Sequence, residues 1–325
     1  GEIEISTGTF DCDGTFDASS GEIDFTGPGT LQLSSTVTSL GTLDAAAGTV
    51  KYDGSVQNVL ADDYYNLVID QSGNKTAQGE INVANDMTIS NSASFLTSTN
   101  HIDVSGATTV GATLEIGNAQ YHSRGGFSAT GNINFSHAGG KLRFYTVSPT
   151  SLGTLDNTLG AVIYMSGATN VLSDDYYTLT IDDGGTAKTL QGNVNIAGNL
   201  NIKSGNELNL GNNNLTLTGN ADINGTLDFN NGGVFEIDGE FDATGGAVKF
   251  TGTGGTLKLG GTPTSLGTFT KGTSTIEYDG GNQNVITEGY HNLEIDAVGT
   301  KTAQGNNTVA GTMTVQSGST YAVAA

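Results

Sequence analysis

Gly192-Asn193-Val194-Asn195-Ile196-Ala197-Gly198-Asn199-Leu200-Asn201-Ile202 opens the stretch that decides the fold. Two apolar residues flank a polar one, Gly or Asn interrupts, and the tripeptide returns. From Asn193 to Leu259 the pairs fall at Val194/Ile196, Leu200/Ile202, Leu208/Leu210, Leu215/Leu217, Leu227/Phe229, Phe235/Ile237, Val248/Phe250 and Leu257/Leu259. An inward–outward–inward tripeptide marks a strand with one buried face. The intervening Gly and Asn suit a chain that must turn and accept positive φ. Most pairs start six to eight residues apart, with two gaps of 12 and 13. Val194, Leu215, Phe235 and Leu257 are spaced 21, 20 and 22 apart, so three short strands make a coil of about 21 residues. This predicts an all-β, single-stranded parallel β-helix (β-solenoid). An immunoglobulin-like sandwich, with longer strands recurring at roughly 8–12 residues, fits poorly.

Variable coil length and the lack of a strict hexapeptide repeat favour right-handed winding. Inward side chains would stack on those of the next coil at about 4.8 Å, and about fifteen coils would make a rod on the order of 70 Å long.

Self-comparison gives a second, longer period. Thr38-Ser39-Leu40-Gly41-Thr42 returns at Thr150 and again at Thr264, spacings of 112 and 114 residues. Tyr52, Tyr164 and Tyr278 match, as do Asn58-Val59, Asn170-Val171 and Asn284-Val285. Asp62-Asp63-Tyr64-Tyr65 and Asp174-Asp175-Tyr176-Tyr177 correspond to Glu288-Gly289-Tyr290-His291. Lys75-Thr76-Ala77-Gln78-Gly79, Lys188-Thr189-Leu190-Gln191-Gly192 and Lys301-Thr302-Ala303-Gln304-Gly305 close the series. Residues 1–325 therefore read as one continuous solenoid of about three super-repeats.

Composition bounds the function. With 33 acidic residues against 11 Lys plus Arg, the net charge of −22 opposes binding to nucleic acid or anionic lipid. The carboxylates are scattered singly, which suits a solvated, mutually repelling surface; divalent-cation binding, Ca2+ above all, is the alternative. No apolar run is long enough for membrane insertion as a helix. The single Cys12 excludes an intrachain disulfide. One Cys and four scattered His make zinc unexpected, and no phosphate loop, nucleophile elbow, EF-hand or calcium nonapeptide is present. No cofactor is expected.

The segments Gly48-Thr49-Val50-Lys51-Tyr52-Asp53-Gly54, Tyr64-Tyr65-Asn66-Leu67-Val68-Ile69 and Gly192–Leu200 resemble the β-strand-repeat regions of large secreted bacterial surface proteins. Such regions are common among Bacteroidota that export through a C-terminal sorting domain. More loosely, they resemble filamentous-haemagglutinin-like adhesins. The resemblance covers essentially the whole chain. It implies secretion, a cell-surface location and a structural or adhesive role, and it brings no catalytic residue.

Candidate sites are few. Arg124 and Arg143 are the only arginines, with His122 and His137 nearby, and Tyr121-His122-Ser123-Arg124 is the most divergent stretch of the middle copy. We read it as an exposed loop; a β-helix polysaccharide-degrading enzyme, which needs one such cluster of acid–base groups, is a distant alternative. Tyr65, Leu67 and Ile69 share an inward parity. Tyr64, Tyr176 and Tyr290 then project outward, once per unit, where an aromatic face packs on a neighbour or stacks on a sugar ring.

The reading is therefore a non-enzymatic extracellular β-solenoid of a surface filament, sheath or adhesive stalk, with a carbohydrate-binding adhesin as the alternative. Its expected partners are surface glycans and either further chain or another copy stacked head to tail. Gly1 begins as an interior strand would, and Tyr321-Ala322-Val323-Ala324-Ala325 lacks a charged or helical cap.

Overall fold

A computed structural model describes Gly1–Val323; Ala324 and Ala325, at the end expected to lack a cap, lie outside the described residues. The described chain is all-β, with no helix, and its parallel strands form about 16 stacked turns of about 20 residues, a β-solenoid. It divides into two compact units, Gly1–Ala161 and Val162–Ala325.

In the second unit one turn runs through Val194–Ile196, Leu200–Ile202 and Glu207–Asn209, and the next through Asn214–Leu217, Ala221–Ile223 and Thr226–Asp228. Each strand pairs with its equivalent one turn on: Val194 with Leu215, Leu215 with Phe235, and Phe235 with Leu257. All four residues are fully buried. The two long gaps in the apolar series are occupied by Ala221/Ile223 and Phe241/Ala243, also buried. Alanine hides these strands from a count of large apolar residues. Phe229 and Phe250 stack face to face at 4.2 Å on successive turns.

The first unit repeats the plan. Thr30–Leu33, Thr49–Tyr52, Asn66–Ile69, Met87–Ile89 and Thr108–Val110 line one side, and Ile81–Val83, Ile102–Val104, Gln120–Ser123 and Lys141–Phe144 line another. Turn length runs from 17 residues, Thr49 to Asn66, to 23, Ser128 to Ser151. Gly48 marks one close approach, because a Cβ there would lie 1.9 Å from Cδ1 of Phe25 on the preceding turn.

A closed hydrogen-bond ring recurs in each super-repeat. Leu60 N–H donates to the Tyr52 hydroxyl (3.3 Å), the two hydroxyls are 3.0 Å apart, and Tyr64 OH donates to Leu60 O (2.8 Å). Since Tyr52 accepts from the backbone and Tyr64 gives its proton to it, Tyr52 must donate to Tyr64. Tyr164, Tyr176 and Leu172 form the same ring, as do Tyr278, Tyr290 and Ile286. Two tyrosines thus satisfy both backbone groups of one corner residue, a requirement for any buried peptide unit.

Candidate functional site

The outward reading of Tyr64, Tyr176 and Tyr290 is corrected. All three are buried, at 1 %, 0 % and 0 % exposure, while Tyr177 is 36 % exposed. Parity does not carry through the segment, because Asp63–Tyr64 and Asn66–Ile69 are separate strands with a corner at Tyr65. Tyr64 and Leu67 both point inward although three residues apart, and Tyr65 is left half-buried at the corner.

Tyr121-His122-Ser123-Arg124 is not an exposed loop either. Gln120–Ser123 is a strand, with Tyr121 and Ser123 in the core. Ile102-Asp103-Val104, Tyr121-His122-Ser123 and Leu142-Arg143-Phe144 stack in register, so each central residue faces outward beside the next. The resulting column is Asp63, Asn82, Asp103, His122 and Arg143.

Around His122 the column becomes a cluster. Arg124 grips Asp103 with both ends of its fork, Nε to Oδ1 at 2.7 Å and Nη2 to Oδ2 at 2.6 Å. Its guanidinium lies 4.6 Å above the Tyr145 ring. His101 meets His122 edge to face at 4.1 Å, and the tilted Tyr145 ring lies 5.0 Å from that of His122. With these neighbours His122 is only 9 % exposed although its strand position faces out.

His122 Nε2 is 3.3 Å from Gln120 Oε1, and Nδ1 lies 3.7 Å from Asp103 Oδ2 and 3.3 Å from the Tyr145 hydroxyl. An amide oxygen only accepts, so Nε2 carries the proton and the lone pair is on Nδ1. Burial first, then the charge of His101 and of both arginines, push His122 down to about 4 against the pull of Asp103. Burial alone would raise Asp103, but its bonds to Arg124 hold it below the usual carboxylate range. At neutral pH the cluster holds a neutral imidazole beside an ionised carboxylate. A shallow depression of about 430 Å³ adjoins Asp103 and Arg124 on the side of Asp63 and Asn82.

The corresponding face of the second unit lacks this chemistry. There the column runs Asp175, Asn195, Thr216, Glu236 and Lys258. Both begin alike, Asn82 donating to Asp63 at 2.8 Å and Asn195 to Asp175 at 2.7 Å, and they diverge where Thr216 replaces Asp103 and Glu236 replaces His122. His137 stands apart in an exposed turn, its Nδ1 accepting from Gly139 N–H.

Sequence reading named Arg124, Arg143 and His122 but missed His101, Asp103, Gln120 and Tyr145. The signal was present: His101 to His122 and Asp103 to Arg124 are each 21 residues apart, the coil length read from the sequence, although the local register step is 19 residues. Compared with family models, curated proteins and solved structures, the chain finds no match.

Proposed function

We propose that the chain is a structural segment of an extracellular protein, a β-solenoid that builds part of a cell-surface filament, sheath or adhesive stalk and carries out no catalysis of its own. The observation that carries this reading is the ring of two tyrosines and one corner peptide, made three times with the same hydroxyl spacing of 3.0 Å. A device repeated once per super-repeat serves architecture, because an active site needs its groups only once. The outward positions suit a solvent-facing scaffold: they are chiefly Thr, Ser, Asn and Asp, and the net charge of −22 keeps copies apart.

Stacking on a further turn, of the same polypeptide or of another copy, belongs to the same proposal. The test is antibody labelling of intact cells together with protease added from outside. Surface label and external digestion are expected; a protein confined to the soluble cell interior and untouched by protease would overturn the reading.

A further inference from the structure

We propose that His101, Asp103 and His122 form a binding site for one divalent transition-metal ion, Zn2+ by the chemistry of the donor set. The three side chains bring two imidazole nitrogens and a carboxylate oxygen to within 4.8 Å of one another. His101 and Asp103 lie two apart on Ile102–Val104 and its leading edge, so they share a face. His122 is the direct register partner of Asp103 on the next turn. The His122 Nδ1 to Asp103 Oδ2 separation of 3.7 Å is already near the ligand-to-ligand distance around a tetrahedral ion with bonds of about 2.0–2.2 Å. Rotation about the side-chain torsions of half-exposed His101 closes the remainder.

The surroundings are those of a ligand set. Gln120 Oε1 takes the Nε2 proton of His122 and directs the lone pair of Nδ1 toward Asp103. A partner on the far nitrogen is what orients metal-ligating histidines. Arg124 uses one lone pair on each oxygen of Asp103. A carboxylate offers about four such sites, so Oδ2 keeps one for the ion while Arg124 fixes its direction. Two imidazoles and one carboxylate suit Zn2+, Co2+ or Ni2+, whereas Ca2+ prefers an all-oxygen shell. Three protein ligands leave a coordination position open to water or to an oxygen or nitrogen donor of a partner. The ion also ties one turn to the next, because its ligands come from both.

The test uses the full chain stripped of metal and titrated with Co2+ at neutral pH, following the visible d–d bands, then back-titrated with Zn2+. One Co2+ per chain is expected, displaced by one equivalent of Zn2+. His101→Gln, His122→Gln and Asp103→Asn should each weaken binding at least roughly tenfold. His137→Gln and His291→Gln, which alter the other two histidines, should bind as the parent does. Zn2+ should raise the melting temperature of the parent and not that of His101→Gln, a half-exposed position whose change leaves the core intact. The proposal is overturned if the bands are lost equally on changing His137 or His291. It is also overturned if His101→Gln, folded by circular dichroism, binds Co2+ as tightly as the parent, or if no band develops before Co2+ precipitates the protein.

Discussion

The ammonium of Lys75 lies 2.6 Å from the carbonyl oxygen of Gln71, a residue held at φ 59°. Lys188 reaches Gly184 O at 3.0 Å and Lys301 reaches Ala297 O at 2.8 Å, with φ of 61° and 53° at the two acceptors. All three lysines are fully buried. Each folds its stem inside the turn and offers its charge to the carbonyl four residues back. A buried ammonium is tolerated only when its protons find acceptors. Replacing Lys75 by Met keeps the volume and leaves the carbonyls of Gln71 and Ser72 without this donor. We expect a loss of about 1–3 kcal/mol, measured by urea denaturation. An unchanged midpoint would show that the ammonium contributes nothing net.

The tyrosine rings set an alkaline limit. Burial pushes Tyr52 up to about 12 against the lowering bond to Tyr64, and burial also moves Tyr164 and Tyr278 up to about 12. A hydroxyl whose folded pKa exceeds its unfolded value of about 10 contributes stability that is whole below pH 10 and lost as pH rises toward the folded value. Melting temperatures should therefore begin to fall above pH 10. Ultraviolet titration of the native protein should show the seven buried tyrosines ionising only with loss of the β-sheet circular dichroism signal. Ionisation of all 11 near pH 10 in folded protein would contradict the buried rings.

Register is tested by two adjacent residues. Leu215 is buried between Val194 and Phe235, while Thr216 faces solvent beside Glu236. Leu215→Asp places a carboxylate without a partner in the ladder and should cost several kcal/mol. Thr216→Lys gains a neighbour of opposite charge and should change stability by less than about 1 kcal/mol. Thermal melts in which the two variants fall together would refute the assignment of inside and outside.

Asp70 predicts acid sensitivity. Burial alone would raise it, but Lys51 at 2.8 Å, the Gln71 N–H, Ser90 and Asn91 lower it to about 2. A carboxyl depressed from about 3.9 adds stability above that pH and loses it as pH falls toward 2, roughly 2 kcal/mol in all. Asp70→Asn should flatten that part of the stability profile. A variant whose denaturation midpoint still falls as steeply between pH 4 and pH 2 would assign the acid response to other groups.

Much of the fold was legible because strands with one buried face write their geometry into a two-residue period, and a coil of constant height repeats it. The strands at Ala221/Ile223 and Phe241/Ala243 were passed over because one inward position of each is an alanine, too small to register. The tyrosine error arose at a corner, where period-two counting stops and the backbone alone decides which ring turns in. Lys75, Lys188 and Lys301 were visible as a recurrence, yet lysine reads as solvent-facing until a turn of carbonyls is seen around it. The histidine–aspartate cluster was hidden by distance along the chain, since its members become neighbours only once the coil length is known.

The tyrosine ring and the buried lysine that follows it recur at an interval of about 113 residues, the spacing from Lys75 to Lys188. Each coil of a solenoid depends on its nearest neighbours alone. A gene encoding such a chain can therefore be lengthened or shortened by recombination between its own copies. A deletion joining Gln78 directly to Gly192 would restore the same Gln-Gly step, and the strand after it, Val194–Ile196, would take the place of Ile81–Val83. The same event would remove His101, Asp103 and His122 at a stroke, so a chain shortened by this copy would lose the proposed metal site together with its length.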